Sequence, residues 1–303
     1  MRVIESFIRG KYSDQSLCED GIFIGSKIVA VIDGVTSHGE LLWNGGRSGR
    51  FAKDVLCEFL RGFEDELAGM SAGECLRQIN SVLAEKGRGV HPDAYLDPHM
   101  LAEYPRACVV LYNNVAGEVW SYGDCQCLIG DELHCEVKEV DRLMSELRAF
   151  VIMSSAREQA ACREGDEHGA PEHLVSCDGV LGREFLDQIA RHDIGREAVV
   201  PLIRKQLWFE NAAGSFGYPV LNGVNFAEDM VKVWSVPAGA EVVLASDGYP
   251  VLCGTLAESE RKLREIIEED PLCIGVGGGV AGVKGIMEGM ESFDDRAFVR
   301  VRL

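Results

Sequence analysis

Acidic residues fall at five places where apolar runs start or stop. Glu19-Asp20 stands just before the apolar run Gly21–Gly25, and Asp33-Gly34 ends the run Val29–Ile32. Gly123-Asp124 closes Glu118–Tyr122, Ser246-Asp247-Gly248 follows Val242–Ala245, and Asp294-Asp295 precedes the last apolar stretch. An ionised carboxylate at the margin of an apolar core is costly unless something positive faces it. Any one Asp-Gly reads as an ordinary turn. The set reads differently, because strand ends from packed sheets can converge on one spot. Oxygen donors with no histidine beside them select hard cations, Mg²⁺ or Mn²⁺, over zinc or copper. A carboxylate bridging two such ions makes a binuclear centre, whose chemistry is to acidify a water and clamp a phosphoryl oxygen during in-line displacement. Glycine at position 34 would let its backbone carbonyl approach the same ion.

The elements that must place these residues follow from periodicity. Val3–Ile8 alternates, and Gly21–Gly25 and Ile28–Ile32 read as a hairpin turning at Ser26-Lys27. After Gly45-Gly46 the period becomes helical, with Ala52, Leu56, Phe59, Leu60 and Phe63 on one stripe. A second helix opens at Ser71, whose spacing to Glu74 is that of a capping box. Gly87–Pro105 reads as a loop. Strands follow at Ala107–Tyr112, Glu118–Tyr122 and Gln126–Ile129, then a helix over Asp141–Glu158, a polar loop over 162–178, and helices at Arg183–Ala190 and Arg196–Glu210. Strands at Val231–Val236 and Glu241–Ala245, a helix capped by Thr255, a glycine-rich segment Gly275–Gly289 and a strand Arg296–Leu303 complete the chain. Grouped helices between hairpin-type strands predict two antiparallel sheets covered by helices, not a parallel doubly wound sheet. No repeat or linker divides the sequence, so residues 1–303 are expected to form one domain.

With 47% hydrophobic and 26% charged residues among 303, the composition is that of a globular protein able to bury a large core. The 30 basic and 49 acidic residues give a net charge of −19, which opposes binding to nucleic acid or anionic membrane. The 11 cysteines are dispersed, odd in number and never spaced Cys-x-x-Cys. With no apolar leader at MRVIESFIRGK and no run of membrane-spanning length, they predict free thiols in a soluble, cytoplasmic protein.

The ordered motifs Glu19-Asp20, Ala30–Gly34, Gly45-Gly46 opening a helix, Trp120–Asp124, Leu244–Gly248 and Phe293–Val299 resemble those of the metal-dependent Ser/Thr protein phosphatases of the type 2C family. The resemblance runs from residue 19 to 299. It implies an α+β fold, a four-layer α-β-β-α sandwich, with two Mn²⁺ or Mg²⁺ ions. It implies hydrolysis of phosphoserine and phosphothreonine in protein substrates by direct attack of a metal-bound hydroxide. By position, Asp33 resembles the bridging ligand, with the Gly34 carbonyl on one ion, and Asp247 and Asp294 resemble ligands of the other. Asp33 and Asp247 stand out as the catalytic pair. Glu19 resembles a residue that holds the second ion directly or through water, Asp20 an outer acceptor, and Asp124 a ligand of a weaker third ion.

The sequence departs from the family pattern at several positions. Val35 stands where relatives often have a histidine able to act as general acid; His38 is nearby. Gln15 stands where some carry a phosphate-gripping arginine, leaving Lys11, Arg47 or Arg50 as substitutes. Val251 replaces an acid near the third-ion position, and Cys125 replaces a serine. These departures keep two alternatives open: a catalytically weak phosphoprotein-binding regulatory module, and a phosphatase for small phosphomonoesters. Gly277-x-Gly279-x-x-Gly282 fits a dinucleotide fingerprint, but too little chain follows for that fold, so it reads as a loop near the metal site. His168 and His173 with Glu167 and Glu172 match no zinc spacing. Signatures of serine hydrolases, zincins and P-loop proteins are missing from the sequence.

Overall fold

The computed structural model describes residues 1–37, 39–95, 97–163, 181–276, 279 and 281–303. The polar stretch 164–180, with Glu167, His168, Glu172 and His173, lies outside them, as do His38 and Gly277.

Among the described residues, ten strands form two five-stranded antiparallel sheets. One contains β1 (Arg2–Arg9), β6 (Gln126–Ile129), β7 (Glu132–His134), β9 (Glu241–Ala245) and β10 (Arg296–Arg302), in the order β1-β10-β9-β6-β7. The other contains β2 (Asp20–Ile24), β3 (Ile28–Gly34), β4 (Ala107–Asn113), β5 (Glu118–Tyr122) and β8 (Lys232–Ser235), in sequence order. Alternation of side chains divides the core in two. Val29, Val31, Val110 and Val119 of the second sheet face Val242, Leu244, Val299 and Val301 of the first across the sandwich. Ala30, Ile32, Val109 and Leu111 point the other way, onto helices.

Those helices are α1 (Ser48–Leu67) and α2 (Ala72–Val90), whose apolar stripes supply Leu56, Leu60, Leu76, Ile79 and Leu83. Ser71 forms the predicted capping box with Glu74. Glu64 of α1 accepts from the backbone N–H groups of Lys27 and Ile28 at 2.6 and 2.9 Å, tying the helix to the β2–β3 turn. On the far side, α6 (Leu256–Glu269) lays Leu263, Ile266 and Ile267 over Val243, Ala245 and Phe298. The layer order is therefore the expected α-β-β-α. Helices α3 (Glu139–Arg163), α4 (Arg183–Arg191) and α5 (Ile194–Gln206) gather round a smaller core of Ile152, Phe185, Ile189, Leu272 and Ile274. Arg148 of α3 is fully buried there. It pairs with Asp193 at 2.8 Å and donates to the carbonyls of Cys273 and Gly282, which fastens the glycine-rich segment to the helices.

Several boundaries differ from the sequence reading. Strand β7 was not anticipated, because three residues carry no visible alternation. Helix α3 starts at Glu139 and runs to Arg163, beyond the predicted ends. Helix α5 begins at Ile194, where Asp193 accepts from the Arg196 N–H, and yields to a 3₁₀ turn at Leu207–Phe209. Helix α2 runs on to Val90, into the expected loop 87–105, and the rest of that stretch contains two 3₁₀ turns, Pro92–Tyr95 and Pro98–Glu103. No described helix is long and apolar enough to cross a membrane.

Candidate metal centre

The acidic strand ends converge. Asp20 and Asp33 are direct cross-strand partners in the β2–β3 ladder, with Cys108 of β4 opposite Asp33 on its other side. Like charges placed directly opposite destabilise a strand pair. Asp124 follows β5 at the point where the chain leaves the second sheet to enter β6 of the first. Asp247 follows β9, and Asp294 precedes β10. Carboxylate oxygens of Asp33, Asp124 and Asp247 all lie within 4.8 Å of one another, although the three residues come from distant parts of the chain.

Glycines make these approaches possible. At Gly123, φ is +122° and an added Cβ would lie 2.3 Å from the Cys108 Cβ. At Gly34 it would lie 2.3 Å from the Gly49 carbonyl oxygen, so the end of β3 fits directly against the first turn of α1. The Gly34 N–H also donates to the Glu19 carbonyl at 3.1 Å.

Glu19 is buried, and its Oε1 has no hydrogen-bond partner among the described residues. Its backbone N–H donates to Asp295 Oδ2 at 2.9 Å. Asp20 accepts from the Ser246 hydroxyl at 2.5 Å, and that hydroxyl in turn accepts from the Ala297 N–H. Asp295 also accepts from the Lys11 N–H at 2.7 Å. It thus works as a buried anchor for both ends of the connection between β1 and β2, a role the sequence reading left unassigned.

Three lysines enter the same space. Lys11 is buried, with its ammonium 2.9 Å from Asp294, 3.6 Å from Asp295 and 3.9 Å from Glu19. Lys284, from the glycine-rich segment, also pairs with Asp294. Lys138, one residue before α3, lies 2.6 Å from Asp124 and 3.8 Å from Asp141. Of the basic substitutes considered from sequence, Lys11 is at the centre, whereas Arg50 pairs with Asp54 on the surface. Lys138 and Lys284 were missed: neither belongs to a motif, and only the fold brings them to the aspartates. Gln15 holds a local turn, accepting from the Gly10 N–H and donating to the Tyr12 carbonyl.

The electrostatics follow from this crowding. Burial, then the charges of Asp247, Asp20 and Asp124, push the Asp33 carboxyl well above its ordinary range. Burial and the neighbouring Asp295 raise Asp20 despite the Ser246 hydrogen bond. Asp247 opens onto the cleft, yet the low-dielectric walls and then the charges of Asp124 and Asp294 push it up to about 7. Burial opposes ionisation of Asp294 too, but Lys284 and Lys11 overcome it and hold that carboxyl low. Lys138 likewise holds Asp124 low against burial.

Asp33, Asp124, Asp247 and Asp294 line a cleft of about 470 Å³, roofed by α3, α5 and the glycine-rich segment, with Val35, Arg196, Lys138 and Lys284 in its walls. The volume suits a small ligand or the end of a peptide side chain. The donor set suits a hard divalent cation: all oxygen, from separate strand ends, with one buried carboxylate oxygen left unpartnered.

No known protein family matches the chain by sequence, and neither does any curated protein. Solved structures overlap it along its whole length. The Mycobacterium tuberculosis serine/threonine phosphatase PstP is 16% identical with a TM-score of 0.45, covering 100% of this chain and 99% of that one. The PPM Ser-Thr phosphatase MsPP from Mycobacterium smegmatis, in complex with cacodylate, is 13% identical with a TM-score of 0.44 and full coverage of both chains. The serine/threonine phosphatase Stp1 from Staphylococcus aureus is 11% identical with a TM-score of 0.44, covering 99% of this chain and 94% of that one.

Proposed function

We propose that this chain is a metal-dependent phosphatase acting on phosphoserine and phosphothreonine in proteins. The observation that carries the reading is the meeting of Asp33, Asp124 and Asp247 at the floor of an open cleft. Asp33, Asp247 and Glu19, with the Gly34 carbonyl, would hold the ions; Asp20 would brace the group from behind, through Ser246. Mn²⁺ or Mg²⁺ bound there would supply Lewis-acid polarisation of a phosphoryl oxygen and an acidified water. Asp294 belongs to the same floor, and releasing it to an ion requires Lys284 to move aside.

The chain's own residues account for much of the rest. A phosphomonoester dianion entering an acidic cleft needs compensating charge, and Lys284, Lys138 and Arg196 provide it at the walls. Arg196 is fixed by donating to the Val283 carbonyl at 2.8 Å, so it approaches the cleft already oriented. Val35 packs against the inter-sheet core and offers no proton, which leaves the leaving-group alkoxide to take its proton from water. Asp33 and Asp247, near each other and raised, are placed to accept a hydrogen bond from an attacking water and to orient it.

A second reading has its own observation. Lys11 and Lys284 both engage Asp294, a state suited to a module that binds a phosphorylated protein without hydrolysing it. Hydrolysis of p-nitrophenyl phosphate that EDTA stops and Mn²⁺ restores separates the two. A phosphopeptide panel set against small phosphomonoesters then assigns the substrate class. Absence of turnover with Mn²⁺ on every phosphopeptide and phosphomonoester tested would overturn the enzymatic reading.

A further inference from the structure

We infer that Lys138 is a built-in cation that takes the place of a divalent ion at Asp124 and withdraws that carboxylate from metal binding. The inference rests on the metal-centre reading above and concerns how many ions the centre accepts. Asp124 is geometrically a member of the cluster, with its oxygens within 4.8 Å of those of Asp33 and Asp247. Its Oδ2, however, lies 2.6 Å from the Lys138 ammonium, the distance of a full charge-assisted hydrogen bond.

Two further contacts hold the ammonium where it is. It lies 3.8 Å from Asp141, in the first turn of α3, and 5.1 Å from the centroid of the Tyr218 ring, within cation–π range. Its side chain is only 14% exposed, so the stem is packed and cannot swing into solvent without opening the wall of the cleft. A dication on Asp124 would sit within a few ångströms of this fixed positive charge, where repulsion is strong in a poorly solvated site. Lys284 contrasts with it. That residue stands on a glycine-rich segment and is anchored by Asp294 alone among the salt bridges of the described residues. Lys138 is thus the permanent occupant, and Lys284 the one able to yield.

The test is a count of bound Mn²⁺ per chain by isothermal titration calorimetry on the full-length, EDTA-stripped protein, without substrate. Lys138→Met is expected to bind one more Mn²⁺ than wild type. Asp124→Asn is expected to leave wild-type stoichiometry unchanged, since the carboxylate is already occupied, and to weaken affinity, since the Lys138 charge is then less fully balanced. Asp124→Asn leaves no stranded carboxylate and keeps Asp141 beside the Lys138 ammonium, so it stays informative if Lys138→Met melts early. Wild type that binds Mn²⁺, with Lys138→Met binding no more, would overturn the inference alone. Loss of one ion in Asp124→Asn would do the same. A wild type and a Lys138→Met variant that both bind no Mn²⁺ would overturn the inference together with the metal-centre reading.

Discussion

Gly123 offers the sharpest test of how the two sheets are joined at the site. The residue sits where the chain passes from β5 to β6, with φ at +122°, and an added Cβ would lie 2.3 Å from Cys108 Cβ, 2.4 Å from its Sγ and 2.9 Å from its Cα. Alanine there meets two separate penalties. Holding a side-chain-bearing residue in that conformation costs on the order of 1–2 kcal/mol. Relieving an overlap with atoms fixed to the β4 backbone costs about 1–3 kcal/mol more, because neither Cα nor Cβ can rotate away. The sum is about 3 kcal/mol, a fall in melting temperature of roughly 5–8 °C for a chain of this size. Gly117→Ala is the control: its φ is +70° and nothing lies within 4 Å of the added Cβ, so only the conformational part applies, about 1 kcal/mol. Calorimetric or circular-dichroism melts of the two variants give the comparison. If Gly123→Ala melts no lower than Gly117→Ala, the overlap is absent and the close approach of the β5–β6 crossing to β4 is wrong.

Asp33→Asn should lower Mn²⁺-dependent p-nitrophenyl phosphate turnover by about 100-fold or more, since even outer partners of metal ligands are worth roughly 10- to 100-fold; activity within threefold of wild type would exclude Asp33 from the reaction. Arg148→Met strands the buried Asp193 and frees the glycine-rich segment, and should cost about 3–5 kcal/mol by chemical denaturation; a loss under about 1 kcal/mol would mean that the pair does not anchor the segment. Glu260 accepts two hydrogen bonds from Arg296 and one from Tyr249, and although burial opposes ionisation these hold its carboxyl below the ordinary range. Its stabilising effect is therefore full above the ordinary glutamate range and lost as the pH falls through the depressed folded value. The melting-temperature gap between wild type and Glu260→Gln should be widest near neutrality and close below about pH 4; a gap that widens in acid would reverse the assignment.

What could be read from sequence was whatever has a short-range signature. The aspartates near the end of β3 and just after β9 were visible because each interrupts a run of apolar residues, and the caps at Ser71 and Thr255 because the partner stands three positions on. The cross-strand pairing of Asp20 with Asp33 follows from the predicted hairpin once its turn is fixed at Ser26-Lys27. Lys138 and Lys284 had no such mark. Each is a single charge in a polar stretch, and only the packing of α3 and the fastening of the glycine-rich segment by Arg148 deliver them to the aspartates. The buried pair of Arg106 and Glu210 was invisible for the same reason, its members being separated by a hundred residues of chain. Strand β7 escaped because its three residues draw their pairing entirely from β6.

Asp33 belongs to one sheet, Asp247 and Asp294 to the other, and Asp124 to the thread of chain running between them. An ion seated between Asp33 and Asp247 would rivet the two leaves together at one end of the seam. A slip of one leaf over the other by a single residue would pull the donors several ångströms apart. Cohesion of the sandwich and competence of its mouth would then rise and fall as one property, and a lesion deep in the seam could silence the mouth without touching it.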